Sequence, residues 1–233
     1  MFIHAMLREM ERKIPFGVDE YYHVYNRGVE KRLIFLDKSD RDRFLRLLYL
    51  ANGTKPVIYR DVPRRSLSDL DMGEKLVAIG AYCLMPNHFH LLLKEISDGG
   101  ISLFMAKLTT SYAKYFNKKY KRVGPLFQSR FKAGHLMRDE HLKYLYAYIH
   151  LNPVKLLEPE WREKGIMDKE RMRRYLEAYW YSSYQDYAGM GREESAILSQ
   201  EQFPEYFSSP HEFEGVIKDW LEYHEHEEEI GFL

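Results

Sequence analysis

Two histidines two residues apart are the first feature of the sequence that could do chemistry. His88 and His90 lie in the segment HFHLLLK, residues 88–94, whose composition predicts a β-strand. Because successive side chains of a strand point to opposite faces, both imidazoles would project from one face, about 6 to 7 Å apart. Two imidazoles at this spacing can bind one divalent ion. Paired surface or core histidines would share this pattern, so both interpretations stay open.

A tyrosine and an amide one helical turn apart form the second feature. Tyr148 and Asn152 lie at the end of a predicted helix, where residues four apart share a face. A tyrosine hydroxyl can attack phosphorus and form a phosphotyrosine if the phosphate charge is neutralised. A divalent ion held by His88, His90 and Asn152 would polarise that phosphate. A tyrosine in an amphipathic helix is otherwise usually a core residue.

Positive charge is concentrated in one part of a chain that is neutral overall. The 233 residues carry 35 basic and 35 acidic side chains, yet residues 197–233 contain ten acids and one base. Residues 101–155 contain eleven Lys or Arg and two acids, with many aromatic residues between them. Such a stretch suits a nucleic-acid backbone, and a solvated surface is the alternative. The candidates for DNA contact are Arg27, Lys114, Lys118, Gln128, Arg130 and Lys132.

Composition also excludes several classes of protein. Cys83 is the only cysteine, which rules out an intrachain disulfide, a thiolate metal cluster and a dithiol redox pair. No apolar run approaches the roughly 20 residues that cross a bilayer, and the charged N-terminal stretch does not resemble a signal peptide. We therefore expect a cytoplasmic protein with no membrane partner.

The order of predicted elements indicates the fold class. Strands are predicted at 21–26, 76–84, 88–94 and 126–136, and helices at 37–50, 101–120 and 141–150. This order predicts an α+β fold, a ferredoxin-like antiparallel four-stranded sheet, followed by the helix that carries Tyr148. Pro153 predicts that this helix is distorted at Asn152. We expect a catalytic domain at 1–156 and, at 157–233, an extension with a Tyr-rich segment and an acidic helical tail.

Five motifs in order give the sequence a family resemblance. It resembles the single-tyrosine HUH transposases, in the branch associated with repetitive extragenic palindromes, over about residues 20–189. The motifs are YHVYNRG at 22–28, MPNHFHLL at 85–92, GPLFQSRF at 124–131, YIHLNPVK at 148–155 and YSSY at 181–184.

The resemblance implies a metal-dependent nickase and strand transferase that acts on single-stranded DNA at hairpins. Its nucleophile keeps the 5′-phosphate covalently and releases a 3′-hydroxyl. By position, His88 and His90 correspond to the metal ligands and Tyr148 to the nucleophile, while Asn152 stands where insertion-sequence relatives commonly have Gln. The implied cofactor is Mg²⁺ or Mn²⁺, the implied partner is single-stranded or hairpin DNA, and the implied location is the nucleoid. Monomer and homodimer both remain open.

Two other functions fit parts of the sequence. A nonenzymatic or domesticated hairpin-binding protein could use the same sheet, aromatic residues and cations. A metal-dependent phosphodiesterase could use water as the nucleophile. The combination of His88, His90 and Tyr148 favours the transposase over a pure binding protein, and a covalent adduct with DNA would exclude the phosphodiesterase.

Overall fold

Four strands form one sheet in the part of the chain that the computed structural model describes, residues 15–56 and 66–222. They are β1 (Tyr21–Arg27), β2 (Val77–Met85), β3 (His88–Glu95) and β4 (Lys132–His135). The sheet order is β2-β3-β1-β4, and every neighbouring pair is antiparallel. The predicted α+β, ferredoxin-like arrangement is confirmed. The polar segment 54–73 contains two prolines and is predicted from its sequence to be a loop. Part of it, residues 57–65, and the last eleven residues of the acidic tail lie outside the described ranges.

Seven α-helices accompany the sheet in the described residues. They are α1 (Lys38–Ala51), α2 (Gly100–Lys119), α3 (Asp139–Leu151), α4 (Trp161–Lys164), α5 (Lys169–Ala178), α6 (Tyr184–Tyr187) and α7 (Pro210–Glu222). Asp37 caps α1, because its carboxylate accepts the Asp40 N–H at 3.0 Å while the Asp40 carboxylate accepts the Asp37 N–H. None of these helices is long and apolar enough to cross a membrane.

The side chains of β3 are divided between two hydrophobic clusters. Phe89, Leu91 and Leu93 are fully buried on the face covered by α1 and α2. Leu92 lies on the opposite face, in a cluster that includes Tyr148 of α3. The sheet is therefore a middle layer, with α1 and α2 on one side and α3 on the other.

The fourth strand is shorter than its sequence predicts. A strand was expected over 126–136, but only Lys132–His135 pairs regularly with β1. Phe127 forms an isolated bridge with Gly28, whereas Lys132 pairs with Tyr25. Tyr25 and Gly28 are three residues apart on β1, whereas Phe127 and Lys132 are five residues apart on the partner segment. Two residues of the partner segment therefore have no paired residue on β1. Residues 128–131 form this irregular connection.

The chain after α3 packs back onto the sheet. Residues 181–183 run along the outer edge of β2, where the Ser183 N–H donates to the Tyr82 carbonyl at 2.9 Å and the Leu84 N–H to the Tyr181 carbonyl at 2.8 Å. This pairing covers a sheet edge that would otherwise be exposed. Phe203 of the extension lies in the same cluster as α3. The domain boundary expected after residue 156 stays a prediction. Two hydrophobic clusters contain residues from both sides of this boundary.

Substitution of Phe213 tests whether this packing joins the extension to the rest of the chain. Phe213 is fully buried in α7 and its ring lies 5.2 Å from that of His150 in α3. Phe213→Ala should lower the free energy of unfolding by about 3 to 5 kcal/mol in one cooperative transition. Met167→Ala, at a position 95% exposed, should change it by less than about 0.5 kcal/mol. Urea unfolding followed by fluorescence and circular dichroism measures both, and a separate early transition in Phe213→Ala would contradict the shared packing.

Candidate active site between the sheet and helix α3

Strand pairing determines which side chains surround the two histidines. In the antiparallel register of β3 and β1, His90 pairs with Tyr25 and His88 pairs with Arg27. Lys132 of β4 pairs with Tyr25 from the other side. Directly paired residues project from the same face of a sheet. The face that carries the histidines therefore also carries a tyrosine and two cations.

Tyr148 of α3 covers this face of the sheet. Its ring centroid lies 5.4 Å from that of His90 and 5.8 Å from that of His23, both in edge-on geometry. The rings of His88 and His90 lie 4.9 Å apart and nearly perpendicular. The structure thus brings Tyr148 to the histidine pair, although it lies 60 residues after His88 in the sequence.

The other tyrosines of α3 point elsewhere. Tyr146 is buried against the extension, with its ring 5.6 Å from Phe207. Tyr144 lies one turn before Tyr148 and contacts both Tyr148, at 6.1 Å, and Trp220, at 5.1 Å. Residues two apart in a helix differ in direction by about 200°, which explains why Tyr146 faces away from the histidines. Among the tyrosines of α3, Tyr148 is the one whose ring contacts His90.

A hydrogen bond fixes the orientation of His88. Its Nδ1 lies 2.6 Å from Oδ1 of Asn87, whose Nδ2 donates to the Lys31 carbonyl at 3.0 Å. Because a carbonyl can only accept, the amide nitrogen of Asn87 must face Lys31, and its oxygen must face His88. His88 therefore carries its proton on Nδ1, and Nε2 keeps a lone pair that could bind a metal.

His90 has a second histidine as its hydrogen-bond partner. Nδ1 of His90 lies 2.9 Å from Nε2 of His23, which is fully buried on β1. Burial lowers the pKa of His23 to about 3 and holds the pKa of His90 well below its ordinary value. Burial, together with the positive charges of Arg27 and Lys155, lowers the pKa of His88 to about 4. All three imidazoles are therefore neutral at neutral pH, the form that binds metal ions.

The predicted third ligand, Asn152, lies where α3 ends. The α-helix ends at Leu151 and the chain continues as a 3-10 helix over Asn152–Leu156, so the regular helix does end next to Pro153. Asn152 itself keeps α-helical backbone angles, φ −53° and ψ −39°, and is not pushed out of helical geometry as expected for a residue before proline. Nδ2 of Asn152 donates to the Tyr148 carbonyl at 2.8 Å, and the side chain is buried. Because the amide nitrogen is a hydrogen-bond donor, only the amide oxygen of Asn152 can bind a cation.

This set of donors fits one divalent ion, provided that oxygen ligands complete the coordination. His88 and His90 are neutral, and both are hydrogen-bonded through Nδ1, as metal-binding histidines usually are. The described residues hold no group of three or more His, Cys, Asp or Glu side chains that could bind a metal. The remaining ligands would therefore be an amide oxygen, water or a phosphate of the substrate.

The candidate DNA contacts fall on two sides of the sheet. Arg27 and Lys132 share the histidine face, and the exposed Gln128 and Arg130 lie in the connection that follows Phe127. The Gln128 N–H donates to the Arg27 carbonyl at 2.9 Å, which holds this connection next to the end of β1. Lys114 and Lys118 are exposed on α2, which packs on the opposite face. The sheet separates these two lysines from Tyr148.

Sequence reasoning missed four residues of the site: His23, Tyr25, Asn87 and Lys155. His23, Tyr25 and Arg27 alternate along β1, and this period of two could have placed all three on one face. Asn87 and Lys155 belong to recognised motifs but were given no role there. Nothing local in the sequence indicates that β1 pairs with β3 in this register, so their contacts required the structure.

The lowered pKa of His88 predicts how stability depends on pH in metal-free protein. Between pH 6.5 and pH 5 the unfolded chain takes up protons on histidines that stay neutral when folded, so the free energy of unfolding should fall as the pH falls. In His88→Gln this fall should be smaller by about 1 to 2 kcal/mol. His211→Gln, at an exposed position, should behave as the unsubstituted protein does. Urea titrations with a chelator measure this, and an unchanged fall in His88→Gln would refute it.

Comparison with known proteins identifies the part of the chain that supplies this site. Residues 70–152, about a third of the chain, match the family model described as "Transposase IS200 like". None of the curated proteins compared with the chain matches it. A solved structure described as "Structure of the REP associates tyrosine transposase bound to a REP hairpin" is similar, with a TM-score of 0.48 and 16% identity over 79% of this chain and 89% of that chain. The resemblance deduced from the motifs is confirmed at the level of the family model: the stretch from β2 to α3, which carries His88, His90 and Tyr148, matches the IS200-like transposases.

Proposed function

We propose that the protein is a transposase that cleaves and joins single-stranded DNA at palindromic hairpins, with Tyr148 as its nucleophile. The observation that carries this proposal is the contact between the rings of Tyr148 and His90, 5.4 Å apart, on the face that also bears Arg27 and Lys132. A binding protein needs no tyrosine over a histidine pair. The match of residues 70–152 to IS200-like transposases supports cleavage and joining as the class of reaction.

Tyr148 takes the central part in the chemical step. Its hydroxyl oxygen attacks the phosphorus of the scissile phosphodiester, and a bond between this oxygen and phosphorus forms as the bond from phosphorus to the 3′-oxygen breaks. The phenol loses its proton, and the departing 3′-oxygen gains one to become a hydroxyl. The 5′-phosphate stays on Tyr148 until the 3′-hydroxyl of a second strand attacks it and the tyrosine is released.

Three residues are proposed as ligands of the cofactor. His88 and His90 would hold a divalent ion, Mg²⁺ or Mn²⁺, through Nε2, and Asn152 would hold it through its amide oxygen. When bound, this ion supplies Lewis-acid activation of the scissile phosphate. His88 and His90 need no deprotonation at neutral pH, because burial has already lowered their pKa values.

The cations on the same face would neutralise the DNA phosphates. Arg27 pairs with His88 across the two strands, and the positive charges of Arg27 and Lys155 lower the pKa of His88, so the same charges would act on a phosphate bound there. Gln128, Arg130 and Lys132 extend this surface along β4 and its connection. Tyr148 and the histidines belong to one chain, so the proposed site needs no residue from a second copy.

Removing one oxygen atom from Tyr148 tests the proposal directly. Tyr148→Phe keeps the ring that packs on His90 and should fold, bind a divalent ion and bind hairpin DNA. It should form no covalent adduct, because the attacking atom is absent. Tyr144→Phe is the matched control, since it alters the neighbouring ring of the same helix, and it should retain the adduct. Labelled hairpin DNA incubated with Mn²⁺ and resolved on a denaturing gel gives the result.

Two outcomes of this experiment would reject the proposed role. An adduct that persists in Tyr148→Phe would place the nucleophile on another residue, and Tyr25 would be the first to examine because its ring lies 5.8 Å from that of His90. Cleavage without any adduct in the unsubstituted protein would favour the phosphodiesterase that uses water.

The position of the cations predicts which of them contribute to DNA binding. The double substitution of Arg27 and Lys132 by Ala should weaken hairpin binding and lower the log-log salt slope by about 1.4, since each phosphate contact on a single strand contributes about 0.7. The charge-matched double substitution of Lys114 and Lys118 by Ala should have little effect, because α2 lies on the opposite face. Affinity measured over a salt series compares the two. An equal loss in both would show that the DNA also follows α2.

A further inference from the structure

His23 is a buried polar side chain in the middle of β1. It is fully buried, and its ring stacks on that of His90 with centroids 5.1 Å apart. One of its nitrogens, Nε2, lies 2.9 Å from Nδ1 of His90. The other, Nδ1, has no hydrogen-bond partner within the described ranges. Burying a polar group without a partner is unfavourable, so packing alone does not account for a histidine at this position.

The hydrogen bond between the two histidines has two possible directions. If Nδ1–H of His90 donates to His23, Nε2 of His90 keeps its lone pair. If His23 donates instead, the proton of His90 lies on Nε2 and that nitrogen cannot bind a cation. The partner of His90 thus decides whether His90 can act as a ligand.

The neighbouring histidine shows the first of these arrangements. Asn87 is held by the Lys31 carbonyl in the orientation that accepts the proton of His88 Nδ1, which leaves Nε2 of His88 unprotonated. For His90 to bind the same ion through Nε2, it must also carry its proton on Nδ1. Nitrogen atoms of the same type would then bind the ion from two residues on one face of β3.

We propose that His23 is a positioning residue: it accepts the hydrogen bond from Nδ1 of His90 and so holds His90 in the tautomer that binds a divalent ion through Nε2. The inference rests on the proposed metal site, and Asn87 performs the same task for His88. Residues that orient metal ligands in this way commonly alter metal affinity 10- to 100-fold when they are removed. His23 itself does not touch the ion or the DNA phosphate.

Binding of Mn²⁺ alone to the full chain, measured by calorimetry without DNA, tests this role. His23→Phe keeps a ring but offers no acceptor, and should raise the dissociation constant about 10- to 100-fold. His23→Gln places an amide oxygen near the position of the lost Nε2, and should restore affinity to within about threefold of the unsubstituted protein. His135→Phe is the control, because His135 lies on β4 of the same sheet but stacks on Tyr22 on the face opposite His90, and it should leave the affinity unchanged.

Nitrogen NMR of the metal-free protein labelled in histidine gives an independent measurement. His90 should carry its proton on Nδ1, and this result does not depend on whether a variant folds. An unchanged Mn²⁺ affinity in His23→Phe would overturn the inference and leave the proposed function intact. A proton on Nε2 of His90 would overturn the inference together with the proposed binding of the ion through that nitrogen, and would leave the assignment of Tyr148 as nucleophile untouched. Mn²⁺ binding that is absent from the unsubstituted protein, or unaffected by His88→Ala, would overturn the proposed metal site and the role of His23 with it.

Discussion

Because side chains alternate along a strand, β3 can bury Phe89 and Leu91 under α1 and α2 only by turning His88 and His90 toward α3. A shift of one residue in its register would move the histidines into the α1–α2 core and the phenylalanine toward Tyr148. The apolar face of β3 thus fixes the position of the polar one. Pairing with β1 in the same register then sets a tyrosine and an arginine beside the histidines, and the site follows from how this sheet is packed.

The extension holds α3 in the orientation that this site needs. His150, two residues after Tyr148, points away from the sheet histidines, and its Nε2 lies 2.7 Å from the Ser183 hydroxyl. The Tyr82 N–H of β2 donates to the same hydroxyl at 3.0 Å. One serine of the YSSY motif therefore connects the helix to the sheet edge. This contact gives a structural reason for a motif that carries no evident chemistry, and it explains why His150 is poorly placed to take a proton from Tyr148.

The sequence predicts those features that depend on local pattern. The period of two in β3 places His88 and His90 on one face, and Pro153 marks the end of α3. The short β4 was missed because its length depends on a mismatch with β1 between Phe127 and Lys132, which no local pattern reveals. Lys114 was grouped with the other cations because of the charge count along the chain. The fold places it on α2, on the opposite face of the sheet, and its contact with DNA stays a prediction. The role of His23 likewise depends on a contact across strands.

Mapping the amino acid that carries DNA in a trapped complex is the most direct measurement of the central claim, that α3 presents Tyr148 to a phosphate bound beside His90. Digestion at lysines releases residues 144–155 as one peptide that contains three tyrosines. Fragmentation by mass spectrometry should place the nucleotide phosphate on Tyr148. Its attachment to Tyr144 or Tyr146, or to Tyr25 in another peptide, would contradict the claim.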